Sequence, residues 1–467
     1  MTFPLKPNLI ALLFTVLITT IAPFRIVAQK TPQKPSPSPE KASDYSQEAM
    51  IIERLRVNFR FEKDGTGMHD IALRVKLQSD AALEQFGQLV LPYTSANENL
   101  EIDYVRVKKP DGSIITASAG DVQDLTAPIS REAPVYTDVR QKHITVPGLR
   151  PGDVLDYHAV WRVHTPMAPN NFWMDYSFIT KGMIVLDEQL ELNIPQSSVV
   201  KLKTEKGFEP KISEVDGRRV YSWQHSVLKK QEEKDDDKEA ARKRREQAED
   251  PEPAEVQMTT FGSWDDLGKW YADLERDRIV PDERIKLKAA EVIAGRASDK
   301  EKIQALYEYV AKSFRYVSLS LGAGRYQPHT AASVLANQYG DCKDKHTLFS
   351  AMLQAAGFRA YAALMHSSRK IDPDVPSPAQ FNHVISAIPL NGELLWVDTT
   401  AEVAPFRLLS PALRDKKALL VPANAPAHLE TTPATPPFRA SEVIEIDGKV
   451  NDLGKLIGRV SMTMRGV

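Results

Sequence analysis

Apolar residues recur at every second position through the first half of this chain and at helical spacing through much of the second. That change of period constrains the fold more than any other feature. In "RLRVNFRFEKDG", Leu55, Val57, Phe59 and Phe61 fall on one face, with Arg54, Arg56, Asn58 and Arg60 on the other. "DIALRVKLQ" repeats the pattern with Ile71, Leu73, Val75 and Leu77, and "DVLDYHAVWRV" with Leu155, Tyr157, Ala159, Trp161 and Val163. Successive side chains on a strand point to opposite faces, so each run buries one face and wets the other. With Asp-Gly and Pro-Gly turns between the runs, the pattern predicts an antiparallel β-sandwich over residues 46–228. His69, His143, His158, His164 and His225 lie in it without the close His/Asp/Glu spacing of a metal site, so the sandwich reads as a packing or recognition module.

"KKQEEKDDDKEAARKRREQAEDPEPAE" then interrupts the chain, and residues 229–257 read as a solvated helix or disordered linker. The basic cluster Arg242 to Arg245 could face an anionic surface, but acidic residues flank it on both sides. Helical spacing begins at about residue 258. "SWDDLGKWYADL" sets Trp264, Leu267, Tyr271 and Leu274 on one face behind a Ser263 cap, and "SDKEKIQALYEYVAKSFRYV" does the same with Ile303, Leu306, Val310 and Phe314. The helical domain runs to about residue 425. Residues 426–467 turn Pro-rich and end in two strand-like pieces, "EVIEIDG" and "KLIGRVSMTM", which read as the start of a β-rich C-terminal region because alone they leave bare edges. The fold class is therefore α+β.

The N-terminus fixes the compartment expected. Lys6 precedes an apolar run, Leu9 to Ala22, which Pro23 breaks and Ala28 follows. The run is short for a bilayer span and has the order of a secretory signal peptide over residues 1–28, with an uncleaved anchor as the alternative. Either form exports the rest, to the periplasm or the medium. Residues 29–45, with "TPQKPSPSPEKAS", are a Pro/Ser linker too poor in apolar residues to pack. Sixty basic against 62 acidic residues give no electrostatic footprint for nucleic acid.

Export makes the single cysteine of this 467-residue chain informative, since it has no partner within the chain. It is either a buried small hydrophobe, a site of intermolecular pairing, or a reactive thiol. In "QYGDCKDKHTLFSAMLQAAGF", Asp341 is a good N-cap ahead of the helical pattern Leu348, Met352, Leu353 and Ala356, so Cys342 should occupy the first turn. Unpaired N–H groups there favour an anion, and they can also hold the oxyanion formed when a thiolate attacks a carbonyl. A base and its orienter are on offer in "FNHVISAIPLNGELLWVDTT". Asn391-Gly392 is a two-residue hairpin signal that pairs Leu390 with Glu393 and Ile385 with Asp398. His383 then lies on the face of Asp398 as its diagonal neighbour, about 7–8 Å away at the α-carbons. Taken singly, each could serve only local hydrogen bonds. Together they have the order of a Cys-His-Asp acyl-transfer site.

"YGDCKDKHTLFSAMLQAAGFRAYAAL", "FNHV" and "WVDTT" resemble the transglutaminase-like superfamily, and "SWDDLGKWY" and "FRYVSLSLGAGRYQP" look like the upstream part of the same domain in exported bacterial members. The β-rich region before it resembles the domain of unknown function 3857, so the likeness spans about residues 46 to 425. The resemblance implies a papain-like core over residues 258–425, with Cys342 as nucleophile, His383 as base and Asp398 as its orienter. Superfamily members cross-link glutamine to amines, deamidate, or hydrolyse peptide amides, which implies a peptide or protein substrate and no cofactor. The competing reading is a non-catalytic scaffold that retains the fold. Gln338, Tyr339 or Tyr326 could supply a second oxyanion donor. Cys342 and His346 at i, i+4 could bind zinc, but no second ligand pair matches, and no oxygen-rich calcium loop occurs. Envelope association and oligomeric state stay open.

Overall fold

The computed structural model describes residues 45–128, 138–229, 253–317, 325–439, 441–450, 452 and 454–465. The leader, the Pro/Ser linker apart from Tyr45, and the charged segment from 230 to 252 lie outside the described residues. Two compact units emerge. The first holds the chain up to Leu267 with Arg325, Tyr326 and Asp372–Gln380; the second holds Gly268 onward without those pieces.

In the first unit the alternating runs become strands. They are β1 (Met50–Phe61), β2 (Gly67–Leu77), then a short helix α1 (Asp80–Phe86), β3 (Gln88–Thr94), β4 (Glu98–Lys108), β5 (Ile114–Thr116), β6 (Val122–Thr126), β7 (Val139–Thr145) and β8 (Val154–Val163). There follow β9 (Trp173–Tyr176), β10 (Ile184–Pro195), β11 (Lys201–Thr204), β12 (Lys211–Val215), β13 (Arg218–Val227) and β14 (Val256–Thr259). An eight-stranded sheet has the order β12-β13-β10-β1-β2-β8-β4-β5, and two three-stranded sheets have the orders β3-β7-β6 and β11-β14-β9. Leu55 sits opposite Leu73, Leu73 opposite Tyr157 and Val75 opposite Leu155, so the predicted apolar faces meet in register. They pack into one core with Leu89, Leu91, Ile144, Met174, Val256 and Met258 from the smaller sheets, as a sandwich requires.

Two details depart from the sequence reading. β1 and β10 pair in parallel, from Ile51–Ile184 to Arg60–Asn193. Alternation says which face of a strand is buried and nothing about the direction of its neighbour. Secondly, β14 pairs with β9 and β11, so chain at the end of the supposed linker completes a sheet of the first unit.

The second unit is built on α2 (Trp264–Glu275, from Gly268 onward), α3 (Glu283–Ile293), α4 (Asp299–Ser313), β15 (Arg315–Tyr316), α5 (Ala331–Asn337), β16 (Tyr339–Gly340) and α6 (Cys342–Ala355). Then come β17 (Tyr361–Met365), β18 (His383–Leu390), β19 (Glu393–Val397), β20 (Lys417–Val421) and β21 (His428–Thr431) in one antiparallel sheet of order β19-β18-β17-β20-β21. The sheet thus runs past residue 425, because β21 closes its edge. Ile388, Leu395 and Val397 on one face of the sheet pack with Leu348, Phe349, Met352 and Leu353 of α6 and with Ile303, Leu306 and Val310 of α4. Ala363, Met365, Ile385, Ala387 and Trp396 form a second core on the other face. A hairpin of β22 (Ser441–Val450) and β23 (Leu456–Arg465) follows.

α6 differs from an ordinary amphipathic helix, since every residue from Cys342 to Leu353 is buried. A helix buried all round has no wet face for its charges, so each polar side chain in its first turns must find a partner inside the protein.

Candidate active site

Two short parallel strands aim the chain at α6. Arg315 N–H donates to the Gln338 carbonyl at 3.0 Å and Val317 N–H to the Gly340 carbonyl at 3.0 Å, which pins β16 beside β15. Gly340 must be glycine there, because a Cβ would lie 2.6 Å from the Asp344 Cβ. Asp341 then caps the helix: Asp344 N–H donates to Asp341 Oδ1 at 3.1 Å, and Asp341 N–H reaches back to Asp344 Oδ2 at 3.4 Å. Cys342 is consequently the first helical residue, and its side chain is 9% exposed.

Asn391 and Gly392 both have positive φ, 51° and 84°, the backbone conformation that an Asn-Gly turn tolerates best. β18 and β19 pair from Leu390–Glu393 to Ser386–Val397, the register that puts Ile385 opposite Asp398. His383 and Asp398 meet across it. His383 Nε2 donates to Asp398 Oδ2 at 3.1 Å, while Asp398 Oδ1 accepts from Thr400 N–H at 2.9 Å and Thr400 Oγ1 at 2.7 Å. With Nε2 so engaged, Nδ1 is the nitrogen left for the Cys342 thiol, which also hydrogen-bonds to this ring. Burial alone would lower the His383 pKa, but hydrogen bonds to Asp398 and Cys342 and the charges of both push it up to about 10. Burial works against the Asp398 carboxylate as well. There, His383 and Thr400 outweigh it and hold the group below its ordinary range. Cys342, His383 and Asp398 are therefore brought together by a helix N-terminus and one hairpin.

Residues 287–387 match the transglutaminase-like superfamily, a span that includes Cys342 and His383 and ends before Asp398. Residues 63–232 match DUF3857, a domain of unknown function with a solved structure. The chain carries a transglutaminase-like domain. Among solved structures, the fold resembles that of a candidate protease from Parabacteroides distasonis, with a TM-score of 0.67 at 14% identity over 83% of this chain and 72% of that one. An M1 zinc metallopeptidase from Deinococcus radiodurans aligns with 46% of this chain and 42% of its own at 9% identity, with a TM-score of 0.24. No curated protein matches the chain significantly.

Within the transglutaminase-like domain, the polar residues that open α6 each hold a different neighbour. Lys343 pairs with Asp341 inside the protein. Asp344 accepts from His329 N–H at 2.8 Å and lies 3.1 Å from His329 Nδ1. Burial pushes both carboxyls up. For Asp344, Lys343 and His329 win and it falls to about 2; for Asp341, burial and the neighbouring Asp344 charge win over Lys343. Lys345 Nζ donates to the Ala311 and Phe314 carbonyls at 3.0 and 2.8 Å, closing the C-terminal end of α4. His346 Nδ1 is 2.7 Å from Ser386 Oγ on β18, and its Nε2 is 2.9 Å from Glu275 Oε1 on α2, close enough for an ion pair though out of line for a hydrogen bond. The Ser386 contact ties the strand that carries His383 to the helix that carries Cys342.

None of His346, Glu275, His329, Lys343 and Lys345 follows from the sequence as part of this layer. The available signal was "CKDKH" itself, a charged run at the start of a helix whose apolar pattern begins only at Leu348. The remaining sequence candidates are Gln338, Tyr339 and Tyr326. Gln338 is exposed and left-handed (φ 59°) at the end of α5, and Tyr339 is half-buried with the Arg315 guanidinium over its ring, 5.8 Å from the centroid. Tyr326 packs edge-on against Trp173 in the first unit. Among the described residues, no group of three or more His, Cys, Asp or Glu could hold a metal ion.

Proposed function

We propose that this chain is an exported cysteine acyl-transfer enzyme acting on peptide or protein amides through Cys342, His383 and Asp398. The observation that carries the reading is the half-buried His383 ring, held between Asp398 and the chain's single thiol and kept protonated through neutral pH. An imidazolium facing a sulfur is the resting pair of a thiolate nucleophile. The thiolate attacks the amide carbonyl carbon, the C–N bond breaks, and the His383 proton goes to the departing amine, leaving a thioester on Cys342. Water or a second amine then gives its proton to His383 as it displaces the sulfur. The description of the Parabacteroides protein as a candidate protease supports a peptide amide as substrate. Incubation with a peptide library, with and without a primary amine, tests the reading and separates hydrolysis from transfer. Turnover that survives Cys342→Ala would end it; partner binding without turnover in the parent would favour a scaffold.

The pH dependence follows from His383. Turnover should fall as pH rises through about 10, where the imidazolium loses its proton. The same group stabilises the fold fully below its ordinary pKa of 6.5, and that contribution fades as pH climbs through about 10. Turnover measured against pH checks this, and a rate that holds unchanged through about pH 10 would remove the His383 imidazolium from the reaction.

Export is part of the proposal and rests on the leader pattern of residues 1–28. The mature chain should begin near Gln29, which intact mass of protein from the producing cell's envelope and medium fractions would show. A full-length N-terminus in the cytosolic fraction would defeat it. No helix among the described residues is long and apolar enough to cross a membrane.

A further inference from the structure

Tyr271 precedes Glu275 by one turn on α2, just as Cys342 precedes His346 by one turn on α6. Residues four apart on a helix share a face. The 2.9 Å approach of Glu275 to His346 therefore sets the face of α2 that carries Tyr271 against α6. The electrostatics of the ring agree. Burial, followed by the charges of Glu275, Cys342, Asp341 and Asp344, holds the phenol well above its ordinary range, so all four groups lie near it and the hydroxyl stays protonated. Tyr271 is 1% exposed, yet its hydroxyl has no hydrogen-bond partner.

A buried hydroxyl without a partner costs stability, and phenylalanine would fill the same space without that cost. A donor that is idle at rest and engaged only when negative charge develops acts selectively on the transition state. At the start of α6, the Asp344 N–H goes to Asp341 Oδ1 and the Lys345 N–H to the Asp341 carbonyl, which leaves the Cys342 N–H pointing out of the helix end. We propose that Tyr271 Oη is a donor to the oxyanion formed at Cys342, acting with the Cys342 backbone N–H. The inference rests on Cys342 being the nucleophile. In the step concerned, Sγ bonds to the carbonyl carbon and the C=O π pair moves to oxygen, where the Tyr271 hydroxyl and the Cys342 N–H hold it. Collapse returns that pair and expels the leaving group.

Tyr271→Phe tests this with two reagents on the full chain. p-Nitrophenyl acetate acylates a thiol through an oxyanion, whereas iodoacetamide alkylates it by direct displacement with none. First-turnover acylation is expected to fall about 10²-fold or more, alkylation to keep the parent's rate, and the melting temperature to hold or rise. Acylation at the parent's rate would overturn the proposal. So would an equal fall in both reactions, which would mean that Tyr271 acts through the thiol, or a drop in melting temperature, which would mean that the hydroxyl serves the fold. A parent that alkylates but never acylates would defeat the nucleophile reading itself, and this inference with it.

Discussion

Asp398→Asn is expected to cut turnover by about 10²-fold or more while moving the melting temperature little. Asparagine keeps the shape and can still accept from Thr400, but its amide can present an N–H to the His383 ring where the carboxylate only accepted. The imidazole then holds the wrong tautomer and loses the charge that keeps it protonated. Cys342→Ala and His383→Ala should be at least as inactive, and combining them with Asp398→Asn should add little, because the three act as a unit. Turnover and melting temperature measured together on the single variants decide the matter. If all three turn over like the parent, the assignment of chemistry to these residues is wrong.

The largest effect on stability is expected at Lys343. It and Asp341 form an ion pair with both side chains almost wholly buried, and Asp344 adds a second carboxylate beside it. Lys343→Met leaves those acids without their ammonium. Removing one partner of a buried pair costs about 3–5 kcal/mol, a large share of the stability of most domains. The double change Lys343→Met with Asp341→Asn should recover much of that loss, since asparagine is neutral and still caps α6. Urea unfolding of the single and double variants measures it. A single variant within about 1 kcal/mol of the parent, the scale of an exposed pair, would show that water reaches the site.

The positions of Cys342, His383 and Asp398 were legible because each depends on local rules. Asp341 is a cap, Asn391-Gly392 fixes a register, and period 2 then assigns faces. The strands of the first unit were legible for the same reason, as far as which residues of each run share the buried face. What the sequence could not show is which elements cover which. The parallel pairing of β1 with β10 joins residues more than a hundred positions apart, and no local pattern records it. The contact of Glu275 with His346 is of the same kind: each looks like an ordinary polar helix residue until α6 proves to have no wet face. His346 was therefore weighed only as a ligand paired with Cys342, whereas the fold gives it Ser386 and Glu275.

That enclosure of α6 sets how this domain can fail. Its opening residues reach the capping loop through Asp341, the end of α4 through Lys345, β18 through His346 and Ser386, and the chain ahead of α5 through Asp344 and His329. The helix that carries Cys342 can loosen only if those attachments are given up together. Heat or denaturant should therefore extinguish reactivity at Cys342 in the same cooperative transition that melts the domain. An intact but inactivated form, common where a reactive residue rides on a surface loop, has no structural basis here.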